Sequence, residues 1–165
     1  MPNVLVALRE IALTELCRLN NQFGTETSLL TENGMSRLIG MAFYAFGVAG
    51  ESAQSIDAML IALDQTAPYE NENLHFFQKR HVQFVYVDRM ITASHAQRRG
   101  LGRSLYEEMF KWARGAGQPV VCCEVNLDPP NPASDAFHER LGFVEVGQAR
   151  LRNGKFVRYL ELRLG

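Results

Sequence analysis

The spacing of apolar residues changes twice between residues 82 and 126, and the first change is made across Gln97-Arg98-Arg99-Gly100-Leu101-Gly102-Arg103. Residues 82–92 alternate as a β-strand does, with Val85, Val87 and Ile91 on one face and Phe84, Tyr86, Asp88, Met90 and Thr92 on the other. Residues 101–114 have the period of a helix. That period puts Leu101, Leu105, Met109 and Trp112 inward and Arg103, Glu107 and Lys111 outward. Residues 119–126 return to an apolar strand, interrupted by Glu124. A strand, a glycine-rich loop, a helix and a second strand restrict the chain to an α/β arrangement.

The loop itself carries chemistry. Two glycines let the backbone turn tightly enough for several N–H groups to face one anion, and the helix N-terminus adds partial positive charge. Arg98, Arg99 and Arg103 meet further negative charge, so the run reads as a pyrophosphate cradle. Taken alone, it also reads as a glycine turn entering a helix beside solvated arginines. The third glycine of the dinucleotide fingerprint is missing, and Arg103-Ser104 follows Gly102 where a nucleoside-triphosphate loop needs lysine.

Around this centre the spacing predicts mostly helix over residues 4–20, with room for a short strand ahead of it, a helix from after Thr31 to near Gly47, and a strand over 56–63. A polar loop over 68–73 and a short helical turn at Leu74, Phe76 and Phe77 follow. Asn131 caps a short helix that has Pro132 at its first position and Gly142 just past its end. Asn153-Gly154 between two β-like runs predicts a hairpin. A length of 165 residues, 47% of them hydrophobic, suits one globular domain, and a net charge of -1 argues against a nucleic-acid or membrane-surface binder. Cys17, Cys122 and Cys123 form no disulfide framework, which points to a reducing, cytoplasmic setting. Neither these cysteines nor the scattered His75, His81 and His95 have metal-ligand spacing, so no metal is expected. No apolar run is long enough to span a membrane.

The pattern Gln97-x-x-Gly100-x-Gly102 after a strand resembles the acetyl-CoA-binding signature of the GNAT family of N-acetyltransferases. The stretch from Asn131 through Leu141-Gly142-Phe143 is similar to the family's second motif. The chain looks closest to a bacterial branch of predicted acetyltransferases. The resemblance implies a mixed, largely antiparallel central sheet flanked by helices, with a C-terminal β-hairpin. It implies a single domain over 1–165, with an acceptor-side half at about 1–81 and an acetyl-CoA-binding half at about 82–165. A homodimer is compatible with it. By the same resemblance Gln97, Arg98, Arg99, Gly100, Leu101, Gly102 and Arg103 hold the pyrophosphate, and Met90, Ile91 and Thr92 bond the pantetheine arm. The counterpart of Asn131 contacts coenzyme A, although its place as an N-cap already accounts for it.

Acetyl transfer to an amine needs a base. An acid closing an apolar strand is costly unless it is solvated, paired or used, which singles out Glu124. The resemblance agrees, since the Glu124-Val125 pair matches the family's basic glutamate; a strand-end salt bridge is the other reading. Asp88 is the competing base, although family members place that carboxylate two residues earlier, where this chain has Tyr86. The leaving thiol calls for an acid, and His138 stands where the family usually has tyrosine. That departure keeps a second function open, a noncatalytic acyl-CoA-sensing module.

Overall fold

A computed structural model describes residues 3–24, 27–52 and 54–165. In chain order the elements are β1 (Leu5–Ala7), a 3-10 turn (Leu8–Glu10), α1 (Leu13–Asn21), α2 (Glu32–Gly40), β2 (Tyr44–Ala49), β3 (Ile56–Asp64) and α3 (Glu72–Arg80). Then come β4 (Val85–Thr92), a second 3-10 turn (Ser94–Ala96), α4 (Leu101–Gly115), β5 (Val120–Asp128), α5 (Pro132–Leu141), β6 (Val144–Arg150) and β7 (Phe156–Arg163). The strands follow the order β1-β2-β3-β4-β5-β7-β6 in one seven-stranded sheet, mostly antiparallel and ending in the expected β6–β7 pair.

The chain forms two compact units, one from the segment ending at Leu63 together with Val87–Trp112, the other from Asp64–Tyr86 and Ala113–Gly165. In the first unit, β2 pairs antiparallel with β1 (Leu5↔Val48) and with β3 (Tyr44↔Ala62). Its core gathers Leu16, Leu19, Met35, Leu38, Met59 and Ile61, all buried. The helix expected to reach Gly47 ends at Gly40, and β2 begins at Tyr44. Aromatic residues at 44 and 46 pair well on a pleated sheet, and that pairing outweighs a helical spacing that continues by coincidence. Gly47 is required there, because a Cβ would lie 2.3 Å from Ile56 Cδ1 and 2.6 Å from the Ala58 carbonyl.

In the second unit β4 starts parallel to β5 (Val85↔Val121, Tyr86↔Cys122), an arrangement that needs the crossover α4 supplies. β7 then pairs antiparallel with β5 (Glu124↔Tyr159) and with β6 (Gly147↔Tyr159). In the first unit, Leu101, Leu105, Tyr106, Met109 and Phe110 along α4 are buried, but Trp112 is 50% exposed rather than inward. It leans on Tyr44 and Phe46 with ring centroids 5.7 and 5.6 Å away. The outward ladder is also rearranged: Arg103 pairs with Glu107 at 2.9 Å, whereas Lys111 pairs with Glu108 at 2.9 Å. No helix among the described residues is long and apolar enough to cross a membrane.

Candidate active site

The first cluster lies in the first unit, where β4 runs into α4. Ile91 is buried, while Met90 and Thr92 alternate with it and stay half-buried. The loop is pinned to β3 by Ala93 N–H donating to the Asp57 carbonyl at 2.7 Å. The Asp57 carboxylate, only 6% exposed, holds His95 Nε2 at 2.9 Å and accepts from Arg99 Nη1 at 3.3 Å. Arg98 sits at φ 65 and Gly100 at φ 75. A non-glycine residue held there stores on the order of 1–3 kcal/mol of strain, a cost that recurs where a ligand needs a particular backbone. A Cβ on Gly100 would meet nothing within 4 Å, so its outer side is open.

The charge pattern points the same way. The first turn of α4 has no acidic residue, and Gln97, Arg98, Arg99 and Arg103 are exposed around it. Arginines there oppose the helix dipole by a few tenths of a kcal/mol each, or about 1 kcal/mol at most. Main-chain N–H groups at the start of a 15-residue helix, ringed by guanidinium groups, suit a polyanion.

Asp88 has a different setting. Its side chain is 3% exposed and accepts from Arg89 Nε at 2.7 Å. Arg89 in turn donates to Asn20 Oδ1 at 2.8 Å and to the Ser28 carbonyl at 3.1 Å. The pair ties β4 to α1 and to the segment after it. Removing either side chain would leave its partner buried without its charge mate, a loss on the order of 3–5 kcal/mol.

The second cluster belongs to the second unit. Glu124, half-buried between Cys123 and Val125 on β5, accepts from Tyr86 Oη at 2.9 Å on each oxygen and from Asn73 Nδ2 at 3.0 Å. Asn73 accepts from Tyr159 Oη at 2.9 Å. Burial, followed by the charges of Glu124 and Glu72, pushes the Tyr159 phenol up to about 12.

Asn131 Oδ1 accepts from Ser134 N–H at 3.3 Å, the capping role its sequence position suggests. His138 is buried on α5 between Phe137 and Phe143, each 5.2 Å away edge-on. Its Nδ1 lies 2.8 Å from the Ser134 carbonyl, a contact that requires an N–H on that nitrogen. Burial lowers its pKa, outweighing the Ser134 bond and Asp135. In the resulting neutral tautomer Nε2 is an acceptor, so delivering a proton from it requires charging the ring first.

Sequence spacing missed two groupings. Tyr159 is a β7 tyrosine indistinguishable from a packing residue, and its partner Asn73 looks like loop composition. The other grouping is Glu161, which accepts from Arg80 Nε at 3.0 Å and Nη2 at 3.2 Å and is bonded to His81, with the Cys122 thiol 4.0 Å away. Burial and Glu161 push that thiol up, so it stays protonated. With its carboxylate already held by Arg80 and His81, the group acts as an internal ion-pair node.

The family described as "Acetyltransferase (GNAT) family" matches residues 18–143. No curated protein matches the chain significantly. Similar solved structures include the ribosomal-protein-S18-alanine N-acetyltransferase from Escherichia coli, 18% identical, TM-score 0.72, covering 99% of this chain and 95% of that one. Arabidopsis thaliana NAA60 in complex with a bisubstrate analogue is 12% identical, TM-score 0.75, covering 98% of each chain. The structure of yncA from Salmonella typhimurium with its cofactor acetyl-CoA is 14% identical, TM-score 0.69, covering 100% of this chain and 95% of that one. At these identities the likeness concerns the fold.

Proposed function

The chain belongs to the GNAT acetyltransferase family, and from that premise we propose that it is an acetyl-CoA-dependent N-acetyltransferase acting on a primary amine of a small molecule or peptide. The observation that carries this reading is the Glu124 carboxylate held by Tyr86 and Asn73. Bound acetyl-CoA supplies the activated acyl group as a thioester. The backbone from Gln97 to Arg103 would hold its diphosphate, with Arg98, Arg99 and Arg103 around it, and Met90, Ile91 and Thr92 would bond the pantetheine arm.

Glu124 addresses the proton on the acceptor. An alkylamine of pKa about 10.4 is neutral in only one molecule in a few thousand at pH 7, a penalty of about 4–5 kcal/mol. Glu124 takes that proton, directly or through a water. A backbone N–H near Met90 or Ile91 would meet the carbonyl oxygen as charge develops on it. A thiol of pKa about 8.5 leaves readily, so the acid is the less demanding role. His138 is its candidate by motif position, Asp88 stands second to Glu124 as base because of its pair with Arg89, and Asn131 is a coenzyme contact by motif alone.

Acetyl-CoA consumption over a panel of amino acids, small amines, antibiotics and peptide N-termini tests the proposal. Glu124→Gln is expected to lose about 10²–10⁴ in turnover while calorimetry shows acetyl-CoA affinity unchanged. Wild-type turnover in that variant overturns the role of Glu124. A wild type that binds acetyl-CoA and acetylates nothing in the panel returns the noncatalytic acyl-CoA-sensing reading.

A further inference from the structure

We propose that Asn73, locked in orientation by Tyr159, is a positioning residue that sets the orientation and charge state of the Glu124 carboxylate. The inference rests on the reading of Glu124 as the base. Tyr86 approaches both oxygens of Glu124 at 2.9 Å, so its single proton is shared and does not distinguish them. Asn73 Nδ2 donates to Oε1. The amide is therefore a contact that favours one side of the carboxylate.

An amide can turn over, and one presenting its oxygen to a carboxylate would repel it. Tyr159 opposes that turn. Its hydroxyl donates to Asn73 Oδ1 at 2.9 Å, and it keeps its proton throughout the working range because burial holds the phenol up to about 12. The tyrosine is itself clamped: Phe76 stacks on it at 3.9 Å with an interplanar angle of 11°, and Phe77 meets it edge-on at 5.3 Å. Gly147 leaves room for the stack, since a Cβ there would come within 3.0 Å of Phe76 Cζ.

Asn73, Phe76 and Phe77 are spaced i, i+3 and i+4, so one face of α3 presents the amide and both rings. The first turn of α3 is fixed by Asn71, whose Oδ1 accepts from the N–H groups of Asn73 at 2.9 Å and Leu74 at 3.0 Å. Helix cap, amide and carboxylate thus form one continuous chain of bonds. Among the described residues, titratable groups that act on the cluster include Tyr86 on β4, Tyr159 on β7, Glu72 on α3 and Cys123 beside Glu124 on β5.

A donor to the ionised carboxylate favours the charged form, so losing it shifts protonation to higher pH. The test compares Asn73→Ala and Tyr159→Phe with wild type by two readouts. One is the pH profile of kcat/KM for the amine; the other is the 13C titration of the Glu124 carboxylate, assigned by its absence in Glu124→Gln. For Asn73→Ala both midpoints are expected to move up by about one pH unit, equal to about a tenfold loss on the acidic limb, while acetyl-CoA affinity is retained. Tyr159→Phe should move them the same way by less. A uniform loss at every pH with an unmoved 13C titration overturns the proposal. If Asn73→Ala does not fold, Tyr159→Phe decides by the same shift. If Glu124→Gln keeps full turnover, the catalytic reading has failed, and the 13C titration still decides the positioning claim.

Discussion

His138 lies within α5 packing, and its burial has a consequence for stability. The folded imidazole has a lowered pKa, so between that value and the ordinary 6.5 the unfolded chain binds more protons than the folded one. Its stabilising contribution is complete above about pH 6.5 and is lost as pH falls from there through the folded value. Melting curves between pH 7.5 and 5 should therefore show wild type losing stability more steeply than His138→Phe, whose ring suits the niche between Phe137 and Phe143. Parallel slopes would contradict this. Turnover of the same variant across pH 6–9 tests the acid role separately, because unchanged rates would remove it. At this scale Glu124 was legible because a carboxylate inside an apolar strand demands an explanation. Tyr159 was not, since its meaning comes from a partner 86 residues away.

The loop between β4 and α4 makes a sharper prediction as an element than any of its arginines does singly. Gly100 sits at φ 75 with open space around it, so Gly100→Ala creates no clash and acts only through backbone conformation. A left-handed alanine costs about 1–2 kcal/mol. If the loop relaxes, acetyl-CoA binding measured by calorimetry should weaken roughly tenfold or more while the melting temperature changes little, since 1.4 kcal/mol is a factor of ten. Unchanged affinity would mean that this backbone does not grip the diphosphate. The loop was readable because glycines and a helix start stand together in sequence. The brace beneath it was not: Asp57 reaches His95 and Arg99 from a strand about forty residues earlier, and a buried aspartate on β3 announces no partner. Trp112 was misplaced for a geometric reason. The buried arc of α4 is centred between the Leu105–Met109 and Tyr106–Phe110 rows, which puts Trp112 on its rim.

For the molecule as a whole, resistance to acid should depend on Glu161. Its side chain is 5% exposed and tied to Arg80 and His81, joining β7 to the end of α3. Burial alone would raise its pKa, but the bonds from Arg80 and His81 overcome that and leave it below the usual 4.5. A depressed carboxylate contributes stability that is fully present above the unfolded value and is lost as pH falls through the folded value. Wild type should therefore weaken below about pH 4.5 in part through Glu161. Glu161→Gln keeps the shape and removes the charge. It is expected to cost about 1–3 kcal/mol at pH 7, read as a lower denaturant midpoint with an unchanged slope, and the cost should shrink as pH falls below 4.5 through the folded value, where the wild-type carboxyl becomes neutral too. A cost that stays constant from pH 7 to pH 3 would show that the node acts through packing, and that its ion pairs add no net stability.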